Sequence, residues 1–167
     1  VEAVSTTRFR LTRVRYDGLA QKHVASNLRA HIYLGNGTGS LSTNVRLMTT
    51  TAENTLNATI AHSATAGSSI TVPVSGMYFF QGRDYYVPAL SGLKYFGISR
   101  NATSGLTTGG SLSVLALGST DNTNTVVSVS GFGYLDANDV VRLLNVNPDT
   151  LNGTDHTMLA VTLVEYV

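Results

Sequence analysis

From Leu28 onward the chain reads as ten short strand segments broken by turn-forming residues, of which Leu28 to Leu34 alternates. A period of two matches an extended strand, whose successive side chains point to opposite faces, and it cannot keep one side of a helix apolar. The segments are 28–34, 44–50, 57–62, 69–74, 76–87, 92–99, 111–117, 125–130, 140–146 and 157–167, most of them rich in β-branched or aromatic residues. Between them stand Gly35-Asn36-Gly37-Thr38-Gly39, Arg100-Asn101, Asp121-Asn122, Ala137-Asn138-Asp139 and Asn152-Gly153. Short strands punctuated in this way describe an all-β antiparallel sandwich of two sheets. The glycine-rich run 35–39 has no following Lys and no helix to open, so it reads as a hairpin connection and not as a phosphate cradle. Only 18–27 has the look of a short helix.

Composition agrees where it matters. Thr, Ser, Gly and Asn fill 66 of the 167 positions, whereas Lys and Glu together number five. Helical proteins coat themselves with Lys and Glu, so this surface belongs to strands and loops. Without cysteine there is no disulfide framework, thiolate chemistry or zinc ribbon. A net charge of +1 is too small to neutralise many phosphates, which argues against a nucleic-acid partner. A hydrophobic share of 43% is enough for a folded core. No uninterrupted apolar stretch reaches the ~18 residues of a membrane helix. The chain begins at Val1 with neither an initiator Met nor a charged-then-apolar leader, which reads as a processed chain or part of a longer product.

Ahead of the sandwich, Arg8-Phe9-Arg10-Leu11 and Arg13-Val14-Arg15-Tyr16 alternate basic with apolar, and the phase slips at Thr12 in the manner of a β-bulge. Four of the nine arginines fall in these eight positions. The division expected is an attachment or docking segment over 1–27, with Arg8, Arg10, Arg13 and Arg15 facing a neighbouring subunit, a larger particle or an acidic partner, and a head domain over 28–167.

Three motifs carry a family resemblance. Ile70-Thr71-Val72-Pro73-Val74-Ser75-Gly76-Met77-Tyr78-Phe79-Phe80 resembles the apolar strand, Pro, Gly and aromatic strand of the complement-q and tumour-necrosis-factor-like jelly rolls. Tyr95-Phe96-Gly97-Ile98-Ser99-Arg100-Asn101 looks like a strand and turn of that family, and Leu135-Asp136-Ala137-Asn138-Asp139-Val140-Val141-Arg142-Leu143 is similar to its Leu-x-x-Gly-Asp-x-Val-x-Leu hairpin, with Asn138 in the glycine position. Met158 to Tyr166 stands where the closing strand falls, without that strand's usual glycine. The resemblance spans 28–167 and implies a jelly roll of about ten strands that assembles as a homotrimer. Tyr78, Phe79 and Phe80 place aromatics on both faces of one strand, so one face should pack in the sandwich and the other against a subunit. Some members of the family bind calcium near the trimer apex, for which the candidates here are Asp121, Asp136, Asp149 and Asp155. No Asp-x-Asp-x-Asp loop accompanies them, and turn-forming aspartates are the competing reading.

Enzymatic chemistry finds little footing. His23, His31, His62 and His156 lack metal-ligand spacing, and no Gly-x-Ser-x-Gly elbow occurs. With 12 Asn and 38 Ser plus Thr, chance supplies about three Asn-x-Ser/Thr triplets, so the four at Asn36, Asn57, Asn101 and Asn152 say nothing about glycosylation. Tyr85, Tyr86, Lys94 and Tyr95 bring aromatic faces and polar tips to strand ends, a chemistry that stacks on sugars, although the same tyrosines suit a subunit interface.

The sequence favours a non-enzymatic trimeric module of an extracellular assembly. The first candidate is a phage or viral fibre, decoration or receptor-binding protein that meets other structural proteins and a cell-surface glycan or protein receptor. A secreted complement-q-type recognition or signalling domain and a purely architectural virion protein are the alternatives.

Overall fold

The computed structural model describes residues 28–38, 44–85, 94–102, 113–120, 126–145 and 156–166. The expected attachment segment and the helix proposed over 18–27 lie outside them. The described residues form ten strands and no helix: β1 Arg29–Thr38, β2 Arg46–Asn54, β3 Thr59–Ser63, β4 Gly67–Thr71, β5 Gly76–Tyr85, β6 Lys94–Arg100, β7 Ser113–Thr120, β8 Val126–Leu135, β9 Val140–Asn145 and β10 Met158–Tyr166. They make two antiparallel five-stranded sheets, ordered β2-β1-β10-β5-β8 and β3-β4-β9-β6-β7. No helix among the described residues is long and apolar enough to cross a membrane.

Several boundaries differ from the sequence reading, β2 running on to Asn54, β4 spanning Gly67–Thr71 and β7 reaching Thr120, and two further extensions stand out. β1 continues through the glycine-rich run, with a register shift between Gly35 and Thr38, because β2 stays paired to it as far as Thr38↔Arg46. β8 continues beyond Ser130 to Leu135, fully paired with β5.

Alternation decides what is buried. In β5, Gly76, Tyr78, Phe80, Gly82 and Asp84 turn inward. Tyr78 and Phe80 meet Ile32, Leu159, Val161 and Leu163 of their own sheet and Ile70, Phe96, Ile98, Val141 and Leu143 of the other in one buried cluster. A buried phenol needs a partner. The Tyr78 hydroxyl donates to the Val74 carbonyl at 2.7 Å, and burial pushes its pKa up to about 12, with Tyr166 adding to the effect.

The motif glycine at position 76 has a steric cause. A Cβ there would strike the Glu165 carbonyl oxygen on β10 and lie 2.8 Å from Leu163 Cδ1. Backbone cannot swing aside as a side-chain tip can. Gly76→Ala is therefore expected to lower stability by about 1–3 kcal/mol, and an unchanged urea midpoint would contradict this close approach.

The family-like hairpin is held by one carboxylate. Asp139 accepts from Asn101 Nδ2 at 2.6 Å through Oδ1 and from the Asp136 N–H at 2.9 Å through Oδ2, with Arg100 Nη1 3.7 Å away. Asn101 Oδ1 in turn accepts from the Val140 N–H at 2.7 Å, so the β6 end and the β8–β9 turn lock together. Asn138 takes φ 75 and Asn101 φ 58, the left-handed region that asparagine tolerates, which lets Asn138 replace the family's glycine. Removing the hub by Asp139→Ala should cost about 1.5–3 kcal/mol, the scale of hydrogen bonds to a charged group. Exposed Asp136 should tolerate the same change, as its side chain faces water. Equal losses from both substitutions, read by thermal unfolding, would refute the assignment.

Candidate functional site

Every second residue of the first sheet points away from the core and builds an outer face. In β5 these are Met77, Phe79, Gln81, Arg83 and Tyr85, and in β8 Val126, Ser128, Ser130, Phe132 and Tyr134. Strand register lines them up across the sheet. Arg29, Thr162, Phe79 and Phe132 form one row, and Glu53, His31, Ala160, Gln81 and Ser130 the next.

The face is divided along the strands. Toward the β5–β8 end that holds Tyr85 it is polar, with Gln81, Arg83, Ser128 and Ser130, whereas the other half carries Met77, Phe79, Phe132 and Tyr134. The rings of Phe79 and Phe132 stack with centroids 4.8 Å apart and planes tilted by 43°. Phe132 is 67% exposed although it is a large aromatic, and it stands on the edge strand of its sheet. Water against such a ring is unfavourable by roughly 25 cal/mol per Å². Exposed Phe132 and half-buried Phe79 together make an apolar patch that reaches the edge strand β8.

His31 lies on this face on β1, one strand in from the edge strand β2. It packs against Tyr33 with ring centroids 5.9 Å apart, and Ala160, opposite it on β10, is only 2% exposed. Its Nε2 is buried and has no hydrogen-bond partner among the described residues. Burial lowers the imidazole pKa, the Arg29 cation lowers it further, and Glu53 pulls in the opposite direction.

A second polar group lies inside the sandwich, at the end where β5 finishes and β10 begins. Arg46 and Asp84 are both fully buried. Arg46 Nε and Nη2 donate to Asp84 Oδ1 at 2.9 and 2.6 Å, and Nη1 donates to the Gly37 carbonyl at 2.9 Å. Thr157 and the Tyr85 N–H donate to the same carboxylate oxygen at 3.2 and 2.9 Å. Burial pushes the Asp84 carboxyl up, while the Arg46 charge and these hydrogen bonds oppose it. The cluster ties β1, β2, β5 and the residue before β10 together, and its concealed charges assign it to architecture.

Tyr85 lies above this cluster, half-buried, its ring 5.8 Å from that of His156. Tyr86 and the side chains of Lys94 and Tyr95 lie outside the described residues, as do Arg8, Arg10, Arg13, Arg15, Asp121, Asp149 and Asp155. Asp136 sits in the β8–β9 turn, at the end of the sandwich opposite Tyr85. No group of three or more acidic or histidine side chains among the described residues could hold a metal ion. Of the three successive aromatics, Tyr78 and Phe80 are fully buried in the core and Phe79 faces outward.

Phe132, Tyr134, His31 and the Arg46–Asp84 pair escaped the sequence reading. The available signal was phase: Arg46 falls in step with Met48, and Asp84 with Tyr78 and Phe80, so each charge sits on a core-facing series.

No protein-family model matches the chain, and no curated protein matches it by sequence. In fold it resembles the crystal structure of murine APRIL at pH 8.5, with a TM-score of 0.57 and 14% identity over 81% of this chain and 98% of that one. The architecture is a jelly roll of the tumour-necrosis-factor type.

Proposed function

We propose that this chain is a non-enzymatic, homotrimeric binding module of an extracellular assembly, its subunits joined through the outer face of the β2-β1-β10-β5-β8 sheet. The observation that carries the reading is Phe132, exposed on edge strand β8 and stacked against half-buried Phe79 of β5, a surface that a single chain leaves wet. A second copy fits it. The charged residues placed on this face by register are Arg29, Glu53, Arg83 and Glu165, two of each sign, so like surfaces meet without strong repulsion. The jelly-roll likeness supports three-fold closure over open-ended stacking.

Within that class, a phage or viral fibre, decoration or receptor-binding protein is the finer reading. It rests on the Thr, Ser, Asn and Gly richness without cysteine and on the basic alternation of Arg8 to Arg15, which suits docking to other structural proteins. A surface with few charges, repeated three times, suits weak contacts to a glycan or protein receptor multiplied by avidity. Glycan-array binding by the full chain tests this. Binding that falls about a hundredfold or more when the trimer is broken supports a receptor-binding role, whereas no binding by a chain that remains particle-bound supports pure architecture. Imaging of the native assembly separates both from a secreted complement-q-type domain, which would be found free of any particle.

A further inference from the structure

We propose that His31 makes the joining of these outer faces acid-sensitive, so that copies hold together at neutral pH and separate in mild acid. The inference rests on the trimer reading above and adds a means of release. Its basis is geometric. His31 stands on β1, one strand in from the edge strand β2, and its Nε2 is already shut off from water in a single chain without meeting an acceptor among the described residues. A partner laid over the face closes the remaining routes by which water could reach a new proton.

The neighbours decide the sign. On β1 itself the flanking side chains are Arg29, a cation, and Tyr33. β2 brings Glu53, which is also 3.9 Å from Arg29 and is therefore shared between two cations once His31 protonates. β10 presents Met158, Ala160 and Thr162, none of which titrates, and β5 beyond it presents Gln81, with Arg83 one row away. The one carboxylate beside His31 is thus already engaged by a resident cation, Arg29, before any proton is added. The low imidazole pKa noted above follows from the same surroundings, burial first and Arg29 second.

A base whose pKa is lower when buried favours the buried state at high pH, and that preference is lost as pH falls through the dissociated protomer's value, which burial and Arg29 already hold below that of a free imidazole. Each protomer contributes one His31, so up to three protons are taken up per trimer dissociated. The association constant should then drop by up to about a thousandfold per pH unit in that window. Carboxylates titrate lower, so the range from pH 7.5 to 5.5 isolates the histidines.

The test measures the native mass of the full chain at micromolar concentration across that range, for wild type, His31→Asn and the control His62→Asn. Loss of trimer in wild type and in His62→Asn but not in His31→Asn is the expected result. A His31→Asn variant that dissociates as wild type does, or a wild type still trimeric at pH 5.5, overturns the switch while leaving the assembly standing. A wild type that is monomeric already at pH 7.5 overturns both. Should His31→Asn fail to fold, NMR titration of His31 in wild type and in the Phe132→Asp variant decides the matter. An imidazole that titrates at least about one unit lower in wild type supports the switch, and equal values refute it.

Discussion

Arg46→Met is expected to destabilise the protein by about 3–5 kcal/mol, among the largest losses available to a single substitution in this fold. The guanidinium is fully buried, and its removal leaves the Asp84 carboxylate without a counter-charge in a site that water does not reach. Two further groups lose their partner or share of the network, the Gly37 carbonyl and Thr157. Burial already raises the Asp84 pKa with Arg46 present, so without it the carboxyl should protonate far more readily in the folded state. Stability should consequently recover as pH falls toward the range where the acid form is neutral, and at neutral pH the melting temperature should drop by roughly 10 °C or more. The double substitution Arg46→Met with Asp84→Leu separates charge burial from packing. Replacing both charges by apolar groups removes the desolvation problem and should restore much of the loss. Thermal and urea unfolding of the two variants check this, and a double variant no better than Arg46→Met would mean that the pair acts through shape alone.

Phe132→Asp should leave the fold intact and abolish assembly. The ring is 67% exposed in the single chain, so little core packing depends on it, and neighbouring Gly131 and Gly133 take the inward positions of that stretch. In the proposed assembly the same ring would be buried together with Phe79, and buried interface aromatics of this kind contribute about 2 kcal/mol or more each on truncation. Three equivalent copies and an added buried charge multiply the effect to well beyond about a thousandfold in association. Phe79→Asp tests the other half of the stack at a position nearer the core. The exposed surface serine Ser128 provides a neutral comparison on the polar half of the same strand. A Phe132→Asp protein that unfolds at the wild-type midpoint but migrates as a monomer is the expected outcome.

The sheet could be read from sequence to the extent that alternation was unbroken. The segments that became β2, β4, β5, β6, β9 and β10 present β-branched or aromatic residues in phase, and two neighbouring strands and their turns share the Asn101 and Asp139 signals. The sequence reading ends β8 at Ser130 because Gly131-Phe132-Gly133-Tyr134 inverts the usual pattern, with glycine inside and aromatic outside. The structure gives the reason. Phe80 Cε2 lies 3.2 Å from where a Cβ on Gly133 would be, and the Leu115 carbonyl oxygen lies 3.2 Å from the same position on Gly131, so the space inside is already filled by β5 and β7. Glycine here marks tight packing, not a turn. His31 could not be singled out because its significance depends on Arg29, Glu53 and Ala160 converging across three strands, and register is invisible in one sequence. The same holds for Arg46 and Asp84, which are 38 residues apart. Phase could place each on the core side, but only the fold shows that they meet.

The central claim is that three copies share the outer face of the first sheet, and the mass of the full chain in dilute solution at pH 7.5 tests it most directly. Light scattering at micromolar concentration should give about 53 kDa, three times the 17.7 kDa chain. A mass of about 18 kDa that does not rise with concentration would contradict the account.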